Sequence, residues 1–178
     1  MGALRLVIVT WLLCGGVYPL VLWAAAALAP QAAQGSLIVR DGRVVGSALI
    51  AQKFTRPEYL WPRPSAADYA GAAASGSNLG PTDSALTARA RAHIAALGGT
   101  GPVPADLVTA SGGGLDPHVT LAGALYQAPR IARARAVAVA RIEAAIRAHA
   151  TEESAFRPAL VNVLEANLTL DDELGKVQ

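Results

Sequence analysis

The sequence predicts an α+β protein: a single N-terminal transmembrane helix followed by one small mixed α/β domain, extracytoplasmic and beginning with a β-hairpin. Three observations carry this reading. Residues 6–29 are 24 consecutive positions without a charge. Asp41-Gly42 lies between two runs rich in branched aliphatic residues. Beyond residue 80, apolar residues recur at helical spacing between glycine and proline breaks. The arithmetic agrees: 178 residues, 53% hydrophobic and 16% charged, are too apolar for a disordered tail. One anchor and one domain of about 100–150 residues use nearly the whole chain, which leaves no length for a polytopic pump.

The uncharged run comes first. A helix over residues 6–29 reaches roughly 36 Å, enough to cross a hydrocarbon core of about 30 Å. Gly15, Gly16 and Pro19 interrupt it, and the two glycines form a notch where another helix can pack closely. Arg5 precedes the run and residues 30–37 carry no positive charge. The bias places residues 1–5 in the cytoplasm and the main domain outside it. A cleaved signal peptide is the competing reading. The length of the apolar run argues against it, as does Pro30 directly after Ala27-Leu28-Ala29.

Residues 30–35 read as a linker and residues 36–178 as the outer domain. Strands over 36–40 and 43–50 flank Asp41-Gly42, a pair suited to a type I′ turn. Residues 54–65 hold Pro57, Pro62 and Pro64 with Phe54, Tyr59 and Trp61, which predicts an ordered extended loop. Thr82 and Asp83 are caps for a helix through Leu97, whose inward face is Leu86, Ala90, His93 and Leu97. Asp106 to Ala110 reads as a short strand. Asp116-Pro117 reads as a helix start, and Pro129 as a break. Val139, Ile142, Ile146 and His149 line one face of a further helix, and Asn162-Val163-Leu164-Glu165 reads as a capping box for the last one.

Chemistry is sparse. Fifteen Lys and Arg against thirteen Asp and Glu give a net charge of +2, too near neutral for an electrostatic nucleic-acid binder. The one cysteine, Cys14, can neither close an intrachain disulfide nor build a thiolate metal cluster. No phosphate-cradling G-x-x-x-x-G-K-[ST] loop, G-x-S-x-G elbow or H-E-x-x-H pair occurs, so no catalytic residue and no metal ligand is assigned. The histidines His93, His118 and His149 stand apart. Arg130, Arg133, Arg135, Arg141 and Arg147 form the densest basic region, read as a solvated or partner-docking face.

One internal echo remains. Residues 74–81 and 110–117 both read A-S-G-x-x-L-x-P, each ahead of an expected helix. Helix amino termini behind glycine loops bind anions, so Ser75, Ser77, Asn78, Ser111, Asp116 and His118 are candidate partner or ligand positions. Two ordinary tight turns are the plainer reading.

Seven segments in order resemble one family, the C subunit (KdpC) of the Kdp potassium-transporting P-type ATPase, over nearly the whole chain. They are Tyr18-Pro19, Gly35-Ser36-Leu37-Ile38, residues 45–52 with Phe54, Trp61-Pro62-Arg63-Pro64-Ser65, Ser77-Asn78-Leu79-Gly80-Pro81, residues 111–118, and Val161-Asn162-Val163-Leu164-Glu165. Pro62 departs from the glycine common there. Ala136-Val137-Ala138 departs from a Gly-Leu turn between two helices.

The resemblance implies a non-catalytic accessory subunit of a high-affinity ATP-driven potassium importer in the bacterial inner membrane. Its implied partners are a channel-like potassium-binding subunit, a P-type ATPase subunit and a small single-span subunit. It implies no cofactor bound by the chain alone, with ATP and potassium handled by the complex. It also implies a catalytic chaperone that raises the ATPase subunit's affinity for ATP, with Gln127 as a candidate nucleotide contact. A domain outside the cytoplasm has only indirect routes to ATP. The alternative is an independent membrane-tethered binding protein or enzyme that uses the two A-S-G-x-x-L-x-P loops.

Overall fold

The computed structural model describes residues 2–176, and the chain divides into two compact units, one ending at Val45 and one beginning at Gly46. In the first, helix α1 (Gly2–Ala26) has a mean hydropathy of 2.0, and none of its side chains is buried within the protein. Its middle is not α-helical. Leu13–Val17 is a π-helical turn, closed by a bond from Tyr18 N–H to the Leu13 carbonyl. Pro19 explains the position of that turn: a proline lacks the N–H for the carbonyl four residues back and its ring collides with it, and an extra residue in the turn relieves the collision. The helix stops short of the expected Ala29, and Pro30–Ala33 forms a separate helical turn.

Strand β1 (Leu37–Arg40) and strand β2 (Arg43–Ser47) form the hairpin, with Asp41 and Gly42 at φ 51° and 72°. Both angles are positive, as a type I′ turn requires.

In the second unit, helix α2 (Ser84–Leu97) begins where Asp83 accepts a hydrogen bond from Ala85 N–H and ends at Gly98, φ 60°. Strand β3 (His118–Thr120) pairs antiparallel with strand β4 (Leu160–Asn162), Val119 opposite Val161. Between them lie helix α3 (Leu121–Arg135) and helix α4 (Val139–Ala148). Helix α5 (Val163–Leu174) follows, and Asn162 caps it by accepting from Leu164 and Glu165 N–H. The core is Leu60, Val119, Ile131, Ile142, Ile146, Val161 and Leu170, all fully buried.

Three expectations are corrected. Asp106 to Ala110 is not a strand: Ala105–Leu107 is a 3-10 turn after Pro104, held because the Asp106 carboxylate accepts from Thr120 N–H at 2.6 Å. Asp116-Pro117 does not start a helix. His118 enters β3 instead, and α3 begins three residues later, capped by Thr120 Oγ1 accepting from Gly123 N–H. The 110–117 loop therefore precedes a strand. Pro129 does not break α3, which runs through it. An interior proline costs about 3 kcal/mol, and burial of Ala124, Ala128, Ile131 and Ala132 on the same helix offsets that. The α3–α4 boundary does fall at residues 136–138. There Ala136 takes the left-handed conformation, φ 54°, at a position that favours glycine.

Candidate functional site

The extended segment after Phe54 belongs to no strand, so its backbone groups need side-chain partners. They receive them from two helices. Gln127 on α3, 1% exposed, accepts from Trp61 N–H at 2.9 Å and donates to Trp61 O at 3.0 Å. Asn167 on α5, equally buried, does the same for the preceding residue, accepting from Leu60 N–H at 2.7 Å and donating to Leu60 O at 3.0 Å. Each amide stands in for a neighbouring strand. Arg130 donates to Pro57 O and Tyr59 O and stacks 4.1 Å from the Trp61 ring centre. Arg135 donates to Glu58 O, Leu170 O and Gly175 O and pairs with Asp171 at 2.7 Å.

Burial shifts the titration of two groups here, Arg130 and Tyr59. Burial pulls Arg130 down to about 10, with Glu58 opposing, and it stays cationic at neutral pH. The Tyr59 hydroxyl is pushed up by burial and by its hydrogen bond to Asp171 at 3.0 Å, while Arg135 and Arg56 oppose. Of the five arginines expected on a solvated or partner-docking face, Arg135 is buried and Arg130 half-buried, both bonded within the fold.

Gln127, the expected nucleotide contact, lies at the same place. Its carbonyl oxygen takes Trp61 N–H and an Arg130 guanidinium hydrogen at 2.7 Å, and its amide nitrogen takes Trp61 O. Its oxygen and one of its two amide hydrogens are thus engaged within the fold.

The two echoing loops come together. Ser75 N–H donates to Gly113 O at 3.0 Å, and a Cβ on Gly76 would lie 2.7 Å from Gly112 O. The contact is backbone against backbone. Gly114, φ 72°, fits beneath Ser65 and the Ser75 carbonyl, where a Cβ would meet both at 2.9 Å. Ser65 Oγ ties the junction by donating to Gly114 O and accepting from Ala67 and Tyr69 N–H. Buried Ser111 accepts from Asp116 N–H, and Asp116 in turn pairs with Arg63 at 2.9 Å and accepts from His118 N–H. Ser111, Asp116 and His118 are thus one hydrogen-bonded chain that anchors Arg63. Ser75 and Asn78 stay exposed, and Ser77 is half-buried.

Beside this junction a cleft of about 280 Å³ opens between the extended segment and α2, lined by Phe54, Trp61, Tyr69, His93 and Leu97, with Lys53 and Asp68 paired at 2.7 Å. Burial and nearby Arg89 lower the His93 pKa. Burial chiefly, and the Asp68 charge, push Tyr69 up to about 12. Among the described residues no group of three or more His, Cys, Asp or Glu is placed to hold a metal.

The sequence reading missed Asn167, Arg135 and Asp171 as braces. A signal existed. Gln127 sits on the stripe of Ala124, Ala128 and Ile131, and Asn167 on that of Val163, Ala166 and Leu170. An amide on an apolar stripe is buried and needs partners. In the anchor, Gly15 and Gly16 fall inside the π-helical turn directly before Tyr18-Pro19. An added Cβ at Gly16 would meet nothing within 4 Å.

A single apolar anchor joined to a small α+β domain, whose buried polar groups serve to hold one extended segment, is the build of a membrane-tethered accessory protein. Comparison with known proteins gives the particular family: the model for the K+-transporting ATPase c chain, KdpC, matches residues 1–172, and the chain belongs to that family. A potassium-transporting ATPase KdpC subunit of Parvibaculum lavamentivorans is 51% identical over 176 residues, covering 96% of this chain and 94% of the relative. Those of Ralstonia nicotianae and Cereibacter sphaeroides are 47% and 53% identical, covering 96% and 90% of this chain and 91% and 89% of theirs. The family carries an accessory role in potassium import within a P-type ATPase complex.

Proposed function

We propose that this chain is a non-catalytic subunit that assembles with a channel-like potassium-binding subunit, a P-type ATP-hydrolysing subunit and a small single-span subunit. Its anchor packs on their membrane helices, with the amino terminus in the cytoplasm and the domain on the potassium entry side. It raises the ATPase subunit's affinity for ATP indirectly, by stabilising the assembled pump. The observation that carries this reading is the state of Gln127. The polar residue that a nucleotide-contact mechanism would use is 1% exposed and bonded to Trp61 through both its oxygen and its nitrogen, which supports a route to ATP through the partner subunits.

The test is the side of the membrane on which the domain lies. A protease-cleavable tag after Gln178 should be cut in intact spheroplasts. Protection until lysis would place the domain in the cytoplasm and overturn both the orientation and the indirect route to ATP.

A further inference from the structure

The domain distributes its polar bonds unevenly. Gln127, Asn167, Arg130 and Arg135 tie down the extended segment around Trp61. Residues 77–103 receive nothing comparable: among the described residues, none of them makes a hydrogen bond or ion pair with a residue outside that range. The flanks are fixed. Ser75 N–H donates to Gly113 O on one side, and Asp106 accepts from Thr120 N–H on the other. Within the stretch, α2 buries Leu97 alone, with Leu86, Arg89, Ala90 and His93 half-buried and its other positions exposed. Beyond α2 the attachments are apolar: Val103 packs on the core, and a Cβ on Gly99 would lie 2.5 Å from the Tyr126 ring. A stretch with few buried side chains and no polar bond to its surroundings opens at a lower free energy than the whole fold.

The cleft beside Trp61 lies between this stretch and a wall whose own bonds lie elsewhere. His93 and Leu97 line one side, and Phe54, Trp61 and Tyr69 the other. Asp68 and Tyr69 hold left-handed backbone, φ 47° and 61°, which in a bulky residue persists only where the surroundings impose it. Here Ser65 Oγ accepts from Tyr69 N–H and Arg63 O accepts from the Tyr69 hydroxyl, so the wall keeps its shape without α2. We infer that residues 77–103 are a strap that lifts as one unit off this cleft while the rest of the domain stays folded, with His93 as its latch.

The latch follows from what His93 faces. The titratable groups lining the cleft with it are Lys53 and Asp68, which pair with each other, and Tyr69, while Arg89 stands one turn back on α2. A neutral imidazole suits the closed cleft. Burial and the Arg89 charge both oppose its protonation there, and lifting the strap returns the ring to water. Acid therefore favours the open form, and closure is favoured above about pH 6.5.

Hydrogen exchange of the full chain in detergent, read as protection factors across a urea series, tests both parts. The α2 amides should share one opening constant, at least about tenfold less protected than α3 and with a weaker urea dependence. Ala136→Gly, which relieves strain outside the strap, should raise α3 protection by about two- to fivefold and leave α2 unchanged. Between about pH 7.5 and pH 5, α2 protection should fall by up to about 30-fold, a ceiling set by an ordinary histidine pKa of 6.5, and His93→Gln should abolish that fall. Protection of α2 equal to that of α3, an equal rise of both in Ala136→Gly, or a gradient that fades from the middle of α2 to its ends would overturn the strap. An acid loss that persists in His93→Gln would overturn the latch.

Discussion

Gln127→Met exchanges the brace for a side chain of similar length that neither donates nor accepts through an amide. Trp61 N–H and Trp61 O lose their partners at 2.9 and 3.0 Å, while Arg130 loses one acceptor and keeps Tyr59 O and Pro57 O. A buried backbone group left bare costs about 1–3 kcal/mol. Trp61 is only half-buried, so water recovers part of the loss, and two groups together should cost about 2–4 kcal/mol. That is a large share of the roughly 5–15 kcal/mol that holds a domain together. In urea, with a slope of roughly 2 kcal/mol per molar, the midpoint should fall by about 1–2 M. The assay is denaturation of the full chain in detergent, followed by tryptophan fluorescence, without nucleotide. A loss below about 0.5 kcal/mol in a variant that nonetheless impairs ATP-dependent transport would refute the brace and return Gln127 to the nucleotide.

Other outcomes follow from single positions. Ala136→Gly should stabilise the domain by about 0.5–1 kcal/mol, because Ala136 holds a positive φ that costs an L-residue roughly 1–2 kcal/mol; thermal unfolding reads it. Gly114→Ala combines a positive φ with a Cβ 2.9 Å from the Ser75 carbonyl, and should cost at least about 2 kcal/mol and expose the 74–78 loop to proteolysis. The lowered His93 pKa means that the unfolded chain binds the proton more readily. Its contribution is present above about pH 6.5 and is lost as pH falls below that value, so His93→Gln should flatten the acid side of the stability profile. The raised Tyr69 pKa acts at the other end. Stability should fall as pH rises from about 10 toward 12, and Tyr69→Phe should remove that slope while baring the Arg63 carbonyl that Tyr69 now bonds at 3.0 Å.

Much of the element order was legible because its signals are local. Asp41-Gly42 set the hairpin turn, Asp83 and Asn162 set two helix starts, and Gly98 ended a helix, each through bonds or angles within a few residues. The failures share a cause. Asp116-Pro117 has the form of a helix start, but β4, more than forty residues away, gives His118 to Thr120 a strand partner. Pro129 has the form of a break, but the buried face around it keeps α3 whole.

The family, the apolar anchor, the hairpin and most caps were determined by the sequence by itself, since each depends on composition or on neighbours along the chain. Tertiary structure alone decided that the two echoing glycine loops lie on one another and that Gln127 and Asn167 hold Trp61 and Leu60. Those hydrogen bonds join residues 66 and 107 positions apart, and a buried amide takes whichever backbone the fold brings to it.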